Sequence, residues 1–109
     1  MTEPVPQQAL NEALDRLWKQ FLPQMEERVA AIEAAGRSLA DGELTDDQRD
    51  AAHAAAHKLA GVLGTFGLTK GTILAREAEF LFSGDADPAA ALQLSEIAAQ
   101  LRALVAQHQ

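Results

Sequence analysis

Apolar residues recur along this chain with helical spacing from end to end. From Leu10 they run Leu14, Leu17, Trp18, Phe21, Met25, Val29, Ile32 and Leu39, in gaps of three, four and seven. That is the stripe of an amphipathic helix reaching about Leu39. Pro23 lies inside it and, lacking a backbone N–H, is expected to kink the helix or split it. Asp41-Gly42 closes the segment. Thr45-Asp46-Asp47-Gln48 reads as a capping box that opens a second helix, with two acids suited to a helix N-terminus. Its apolar stripe is Ala52, Ala55, Leu59, Val62 and Phe66. Gly67-Leu68 makes a turn, and Thr69 is the expected cap of a third helix through Phe82, with Leu74, Ala78 and Leu81 inward and Thr72, Arg76 and Glu79 as a polar stripe. Ser83-Gly84-Asp85 ends it. Asp87-Pro88 starts the last helix as N-cap and first-turn proline, with Leu94, Ile97, Leu101, Leu104 and Val105 on its apolar face. No stretch alternates as a strand does. The pattern predicts an all-α protein, an antiparallel up-down four-helix bundle over residues 7–107 preceded by a flexible lead-in at 1–6.

Composition narrows the function classes. A chain of 109 residues with 48% hydrophobic residues supports one core and one domain. The absence of cysteine removes disulfides, a thiol nucleophile and thiolate metal sites. A net charge of −7 argues against nucleic acid, whose phosphates attract basic surfaces. No apolar run approaches the roughly 20 residues that span a bilayer, and the N-terminus has no signal-peptide pattern. The expectation is a cytoplasmic domain without membrane contact. With every stripe assigned to the core, no apolar face is left over, and a monomer in isolation is expected.

The chemistry concentrates at His57. At about 100° per residue it points away from Leu59 and Phe66. Its face carries Asp50, His53, Ala54, Ala60, Gly61 and Gly64. An interior helical glycine costs about 1 kcal/mol relative to alanine, so Gly61 and Gly64, one and two turns beyond His57, suggest that something large approaches the imidazole.

The run His57-Lys58-Leu59-Ala60-Gly61-Val62-Leu63-Gly64-Thr65-Phe66-Gly67 resembles the histidine phosphotransfer (HPt) domain family, whose motif is a histidine with glycine four and ten residues on, here Gly61 and Gly67. Gly64-Thr65-Phe66-Gly67 is also similar to the phosphotransfer domain of chemotaxis histidine kinases. There a glutamate twenty-two residues after the histidine hydrogen-bonds the ring, and Glu79 holds that position. The resemblance implies a four-helix bundle that carries a phosphoryl group on an exposed histidine, His57, oriented by Glu79. It implies a carrier rather than an enzyme, docking through His53, Ala54, Ala60, Gly61 and Gly64, with Gly67 in the turn. Its partners would be a response regulator receiver domain, a sensor histidine kinase, or both. This chain has no Gly-rich phosphate loop and no evident Mg²⁺ cage, so no cofactor is expected on it, and Mg²⁺ and the acceptor aspartate would belong to the receiver. The family usually places lysine three residues after the histidine, and this chain has Ala60. Lys58 lies about 100° round the helix. Arg76 is the better candidate for a phosphate contact. In an antiparallel hairpin His57 and Arg76 each lie about 10 Å from the turn, nearly level, with Glu79 one turn further.

Two other readings attach to the same residues. A bundle with alanine in the lysine position could bind receivers without accepting phosphate. His53 and His57, one turn apart, could begin a metal site, which would need a third ligand such as Asp50 or Glu79.

Overall fold

The computed structural model describes residues 6–108, so the lead-in expected at 1–6 lies, apart from Pro6, outside the described residues. Four helices follow one another: α1 Gln7–Ala40, α2 Asp46–Thr65, α3 Thr69–Leu81 and α4 Ala91–Gln107, the last entered through a 3₁₀ turn at Pro88–Ala90. α1 packs on α2 and α4, and α3 closes the ring by packing on the same two. No strand occurs among the described residues. The protein is a four-helix bundle.

The start and stop signals operate largely as their chemistry dictates. Thr45 Oγ1 accepts from the Gln48 N–H at 3.1 Å, and Gln48 Oε1 accepts from the Thr45 N–H at 3.0 Å. Asp87 accepts from the Ala89 N–H at 2.9 Å. α1 ends in a Schellman motif, with Gly42 at φ +72° and the amides of Gly42 and Glu43 returning to Leu39 and Ser38. Thr69, expected as a cap, is instead the first residue of α3. The N-cap is Leu68 and makes no side-chain cap bond.

Pro23 does not split α1, which continues through it for 34 residues. Pro23 is exposed, so water can serve the carbonyl its missing N–H leaves free.

The core contains Met25, Val29, Ile32, Leu59, Leu63, Phe82, Leu94 and Leu101. At the end of α3 it is the C-cap residue Phe82, not Leu81, that is fully buried. On α2 the buried arc runs through Ala52, Ala56, Leu59, Ala60 and Leu63, while Ala55, Val62 and Phe66 are half-buried. The arc is thus turned towards α3 relative to the stripe read from the sequence. Alanines and glycine make the difference. Ala52, Ala56 and Ala60 on α2 are buried, as are Gly71, Ala75 and Ala78 on α3, and small side chains let two helices approach closely. A Cβ at Gly71 would lie 3.0 Å from Leu63 Cδ1, and one at Gly36 would lie 3.4 Å from Leu94 Cβ.

α1 outruns its neighbours. At 1.5 Å per residue it is about 50 Å long and α4 about 26 Å, and the molecule extends 61 × 23 × 19 Å. Trp18 marks where the bundle ends. Its ring packs on Phe66 at 5.1 Å, just past α2, and on His108 at 4.1 Å, just past α4. The turns of α1 before Trp18 project beyond that cap, and Leu10, Leu14 and Leu17 remain 46%, 37% and 42% exposed. An apolar face is therefore left over, against the expectation from the sequence.

Candidate functional site

The site lies on the α2–α3 hairpin, and its geometry begins at the turn. The Gly67 amide returns to the Gly64 carbonyl at 3.0 Å and the Leu68 amide to the Leu63 carbonyl at 2.9 Å. Gly67 sits at φ +73°, where a Cβ would be strained. This Schellman closure sets the register in which α3 runs back along α2. The small-residue seam then fixes the distance between the helices.

Because the buried arc of α2 is turned towards α3, His57 stands at the edge of the seam rather than opposite it. Its Nδ1 lies 2.7 Å from Glu79 Oε2. The other oxygen of Glu79 accepts from Arg76 Nη1 at 3.4 Å. His57 is 64% exposed, Arg76 59% and Glu79 19%. A carboxylate only accepts hydrogen bonds, so at 2.7 Å Nδ1 carries the ring proton. In the neutral ring the lone pair is then on Nε2, and the ring is largely open to solvent. Arg76 shares Glu79 from the other side and keeps a guanidinium beside the histidine without bonding to it.

The other expected site residues separate. Ala54, Gly61 and Gly64 are exposed, and His53 is half-buried one turn before His57. Lys58 is exposed and forms no ion pair among the described residues. Ala60 does not belong to the exposed face. It is 1% exposed and lies in the core, because α3 covers the flank of α2 only about 60° round from His57. A side chain there cannot form part of a docking surface. The space around Gly61 is empty, with nothing within 4 Å of a Cβ built on it, and a Cβ at Gly64 would meet only Thr72 Oγ1 at 3.6 Å.

Gly71 belongs to the site's support and was not identified from the sequence. It completes the i, i+3, i+4, i+7 face with Leu74, Ala75 and Ala78, a signal that counting only large apolar residues passes over. No group of three or more His, Asp or Glu among the described residues could hold a metal ion. His53 and His57 lack the third ligand that the metal reading requires.

Comparison with known proteins decides the family. The sequence model of the Hpt domain matches residues 16–109. The chain belongs to the Hpt domain family. It is a histidine phosphotransfer domain of two-component signalling. Protein RcaC of Microchaete diplosiphon is 38% identical over 71 residues, which is 65% of this chain and 11% of that protein. The chain therefore spans only a small part of that relative's length. No solved structure matches it. No helix among the described residues of this Hpt domain is long and apolar enough to cross a membrane.

Proposed function

We propose that His57 carries the phosphoryl group and accepts it on Nε2. The observation that carries this reading is the 2.7 Å bond from Nδ1 to Glu79. It holds the proton on one nitrogen and leaves the lone pair on the other, the orienting logic of a triad. The Nε2 lone pair attacks the phosphorus of an aspartyl phosphate on a receiver domain. The P–O bond to the aspartate breaks, its carboxylate leaves with the electron pair, and a P–N bond forms. The ring, still protonated on Nδ1, gains positive charge that Glu79 offsets. The reverse sequence returns the group to an aspartate.

Phosphoryl transfer depends chiefly on positioning and charge neutralisation. Mg²⁺ on the receiver would supply charge neutralisation at the phosphoryl oxygens. This chain contributes the oriented nucleophile and, from Arg76, a cation at the rim. It acts as a carrier, and the partner provides the catalytic apparatus. Gly61 and Gly64 keep the surface beside His57 low, with Ala54 and His53 completing a docking face for the receiver.

The test is phosphate transfer from a phosphorylated receiver, with His57→Gln as control. The expected product is an acid-labile, alkali-stable phosphate that is absent from the variant. Binding without any transferred phosphate, across a broad panel of receivers, would replace this reading with a docking module.

A further inference from the structure

The α2 part of the face around His57 gives a partner clearance but little to hold. Gly61, Gly64 and Ala54 are small, Lys58 is charged, and no large apolar side chain of α2 is among the exposed ones. Protein interfaces draw most of their affinity from a few large side chains, aromatic ones above all. The adjoining face of α3 has two candidates. Phe80 is 76% exposed and Ile73 55%. At 100° per residue Ile73, Arg76, Glu77 and Phe80 share an arc about 100° wide. The same four residues line a groove together with Leu81 and, from α4, Gln93.

Reach decides which apolar residues a partner at His57 can cover. A standard interface takes about 800 Å² from each side, a disc of about 16 Å radius. Glu79, the residue before Phe80, touches the His57 ring. α3 lies one helix spacing from α2, about 8–10 Å, and Ile73 and Phe80 flank Arg76 by about 5 and 6 Å along its axis. Both fall within about 15 Å of the imidazole. The other large apolar side chains exposed among the described residues do not. Leu10, Leu14 and Leu17 stand at or beyond the Trp18 end, about 15 Å or more along the bundle and a helix away. Leu92 lines a groove with Glu33, Gly36 and Arg37 of α1, on the far side.

We propose that Phe80, with Ile73, is the apolar anchor of the receiver domain: an apolar side chain of the receiver seats between the two while its phosphorylated aspartate faces Nε2 of His57. This rests on the reading that His57 accepts phosphate from a receiver, and it adds a second helix to the docking face. Bringing phosphorus to bonding distance of Nε2 fixes the receiver over the His57–Glu79 pair, so its contact with α3 follows from the geometry of the transfer. The receiver is gripped on α3 and cleared on α2. Phe80 and Ile73 act on binding and touch no reacting atom.

Two phosphate donors separate anchoring from chemistry. Phosphoramidate needs no docking face: Nε2 attacks its phosphorus, the P–N bond of the donor breaks, and ammonia leaves with the electron pair. The second donor is a phosphorylated receiver that transfers to the wild-type chain. Phe80→Ala should raise the half-saturating receiver concentration at least about tenfold, while the rate at saturation, the phosphoramidate labelling and the helical circular dichroism follow wild type. Ile73→Ala should raise it less, and Phe80→Leu should restore most of the affinity. Leu92→Ala, as exposed but on the far side, should change nothing. A half-saturation unmoved by Phe80→Ala overturns the proposal and leaves His57 as the carrier. So does a loss confined to phosphorylation by a sensor kinase, which would give the groove to that partner. A fall in phosphoramidate labelling or in the saturated rate would place Phe80 in the chemistry and overturns it as well. A wild-type chain that takes no phosphate on His57 from either donor removes the carrier reading and the anchor with it.

Discussion

Replacing Glu79 tests the physical core of the site. Its carboxylate accepts from His57 Nδ1 at 2.7 Å, and a hydrogen bond to an ionised partner is worth about 1.5–3 kcal/mol. His57 is 64% exposed and Glu79 19%, so water competes for the ring and reduces this to about 1–2 kcal/mol. The bond strengthens as the ring gains positive charge on accepting phosphorus. Its loss therefore falls mainly on the transition state and the phosphorylated product. With 1.36 kcal/mol per tenfold in rate, Glu79→Ala should slow phosphorylation of His57 by roughly 5- to 30-fold. Glu79→Gln, which keeps an acceptor without the charge, should fall between wild type and alanine. Rapid-quench transfer from a phosphorylated receiver gives the rate. ¹⁵N chemical shifts of the His57 ring give the tautomer independently. The expected wild-type spectrum has the proton on Nδ1, with that preference lost in Glu79→Ala. Unchanged transfer in Glu79→Ala, or a wild-type ring protonated on Nε2, would refute the reasoning.

Three further substitutions separate the roles of the glycines. Gly61→Gln places a side chain where nothing lies within 4 Å; it should raise Tm, since it removes a helical glycine penalty of about 1 kcal/mol, yet slow transfer from a receiver at least about tenfold. A receiver reaction at the wild-type rate would remove this residue from the docking face. Gly67→Ala forces a Cβ into φ +73° and should cost about 1–2 kcal/mol, read as a lowered urea midpoint at constant m-value. Gly71→Val crowds Leu63, already 3.0 Å from a Cβ built at residue 71; it should destabilise by about 1–3 kcal/mol and, by moving α3 off α2, weaken the Nδ1 preference in the same ¹⁵N spectrum.

The fold was legible because most of its signals are local. A capping box, an Asp-Pro start, glycine at two turns and a stripe repeating every three to four residues are settled within a few residues of each other, and the structure adopts them. The His57–Glu79 pairing was legible for a different reason. The resemblance supplied the spacing of twenty-two residues, and a tight turn at Gly67 leaves α3 little freedom of register. What escaped depends on how close two helices come, and a single stripe does not encode that. The stripe of α2 was centred on Ala55, Val62 and Phe66 and left out Ala56, Ala60 and Leu63, so the buried arc was placed too far from α3 and Ala60 was put on the wrong side of the surface. Gly71 has no side chain to count in an apolar stripe. Leu10, Leu14 and Leu17 fit a core stripe as well as Met25 does, and only the shorter reach of α2 and α4 leaves them uncovered.

Those errors sharpen the argument for the docking face. A glycine in a helix calls for a cause, and here the causes differ from one position to the next. Gly67 has its positive φ. Gly71 has a neighbouring side chain too near for a Cβ to enter freely, and Gly36 is buried, with Leu94 at contact distance from a Cβ built there. Gly61 has neither: its backbone is helical, its surroundings are empty, and it stands one turn from the only exposed ring held by a carboxylate among the described residues. The empty surroundings of Gly61 thus support the proposal that a partner's surface comes down onto α2 beside His57. Ala60, by contrast, is explained from within, because it is 1% exposed and belongs to the core. The lysine that the family usually places there would have to leave the seam to reach solvent. In this chain Arg76, on α3, shares with His57 the carboxylate that the proposal assigns to orienting the ring.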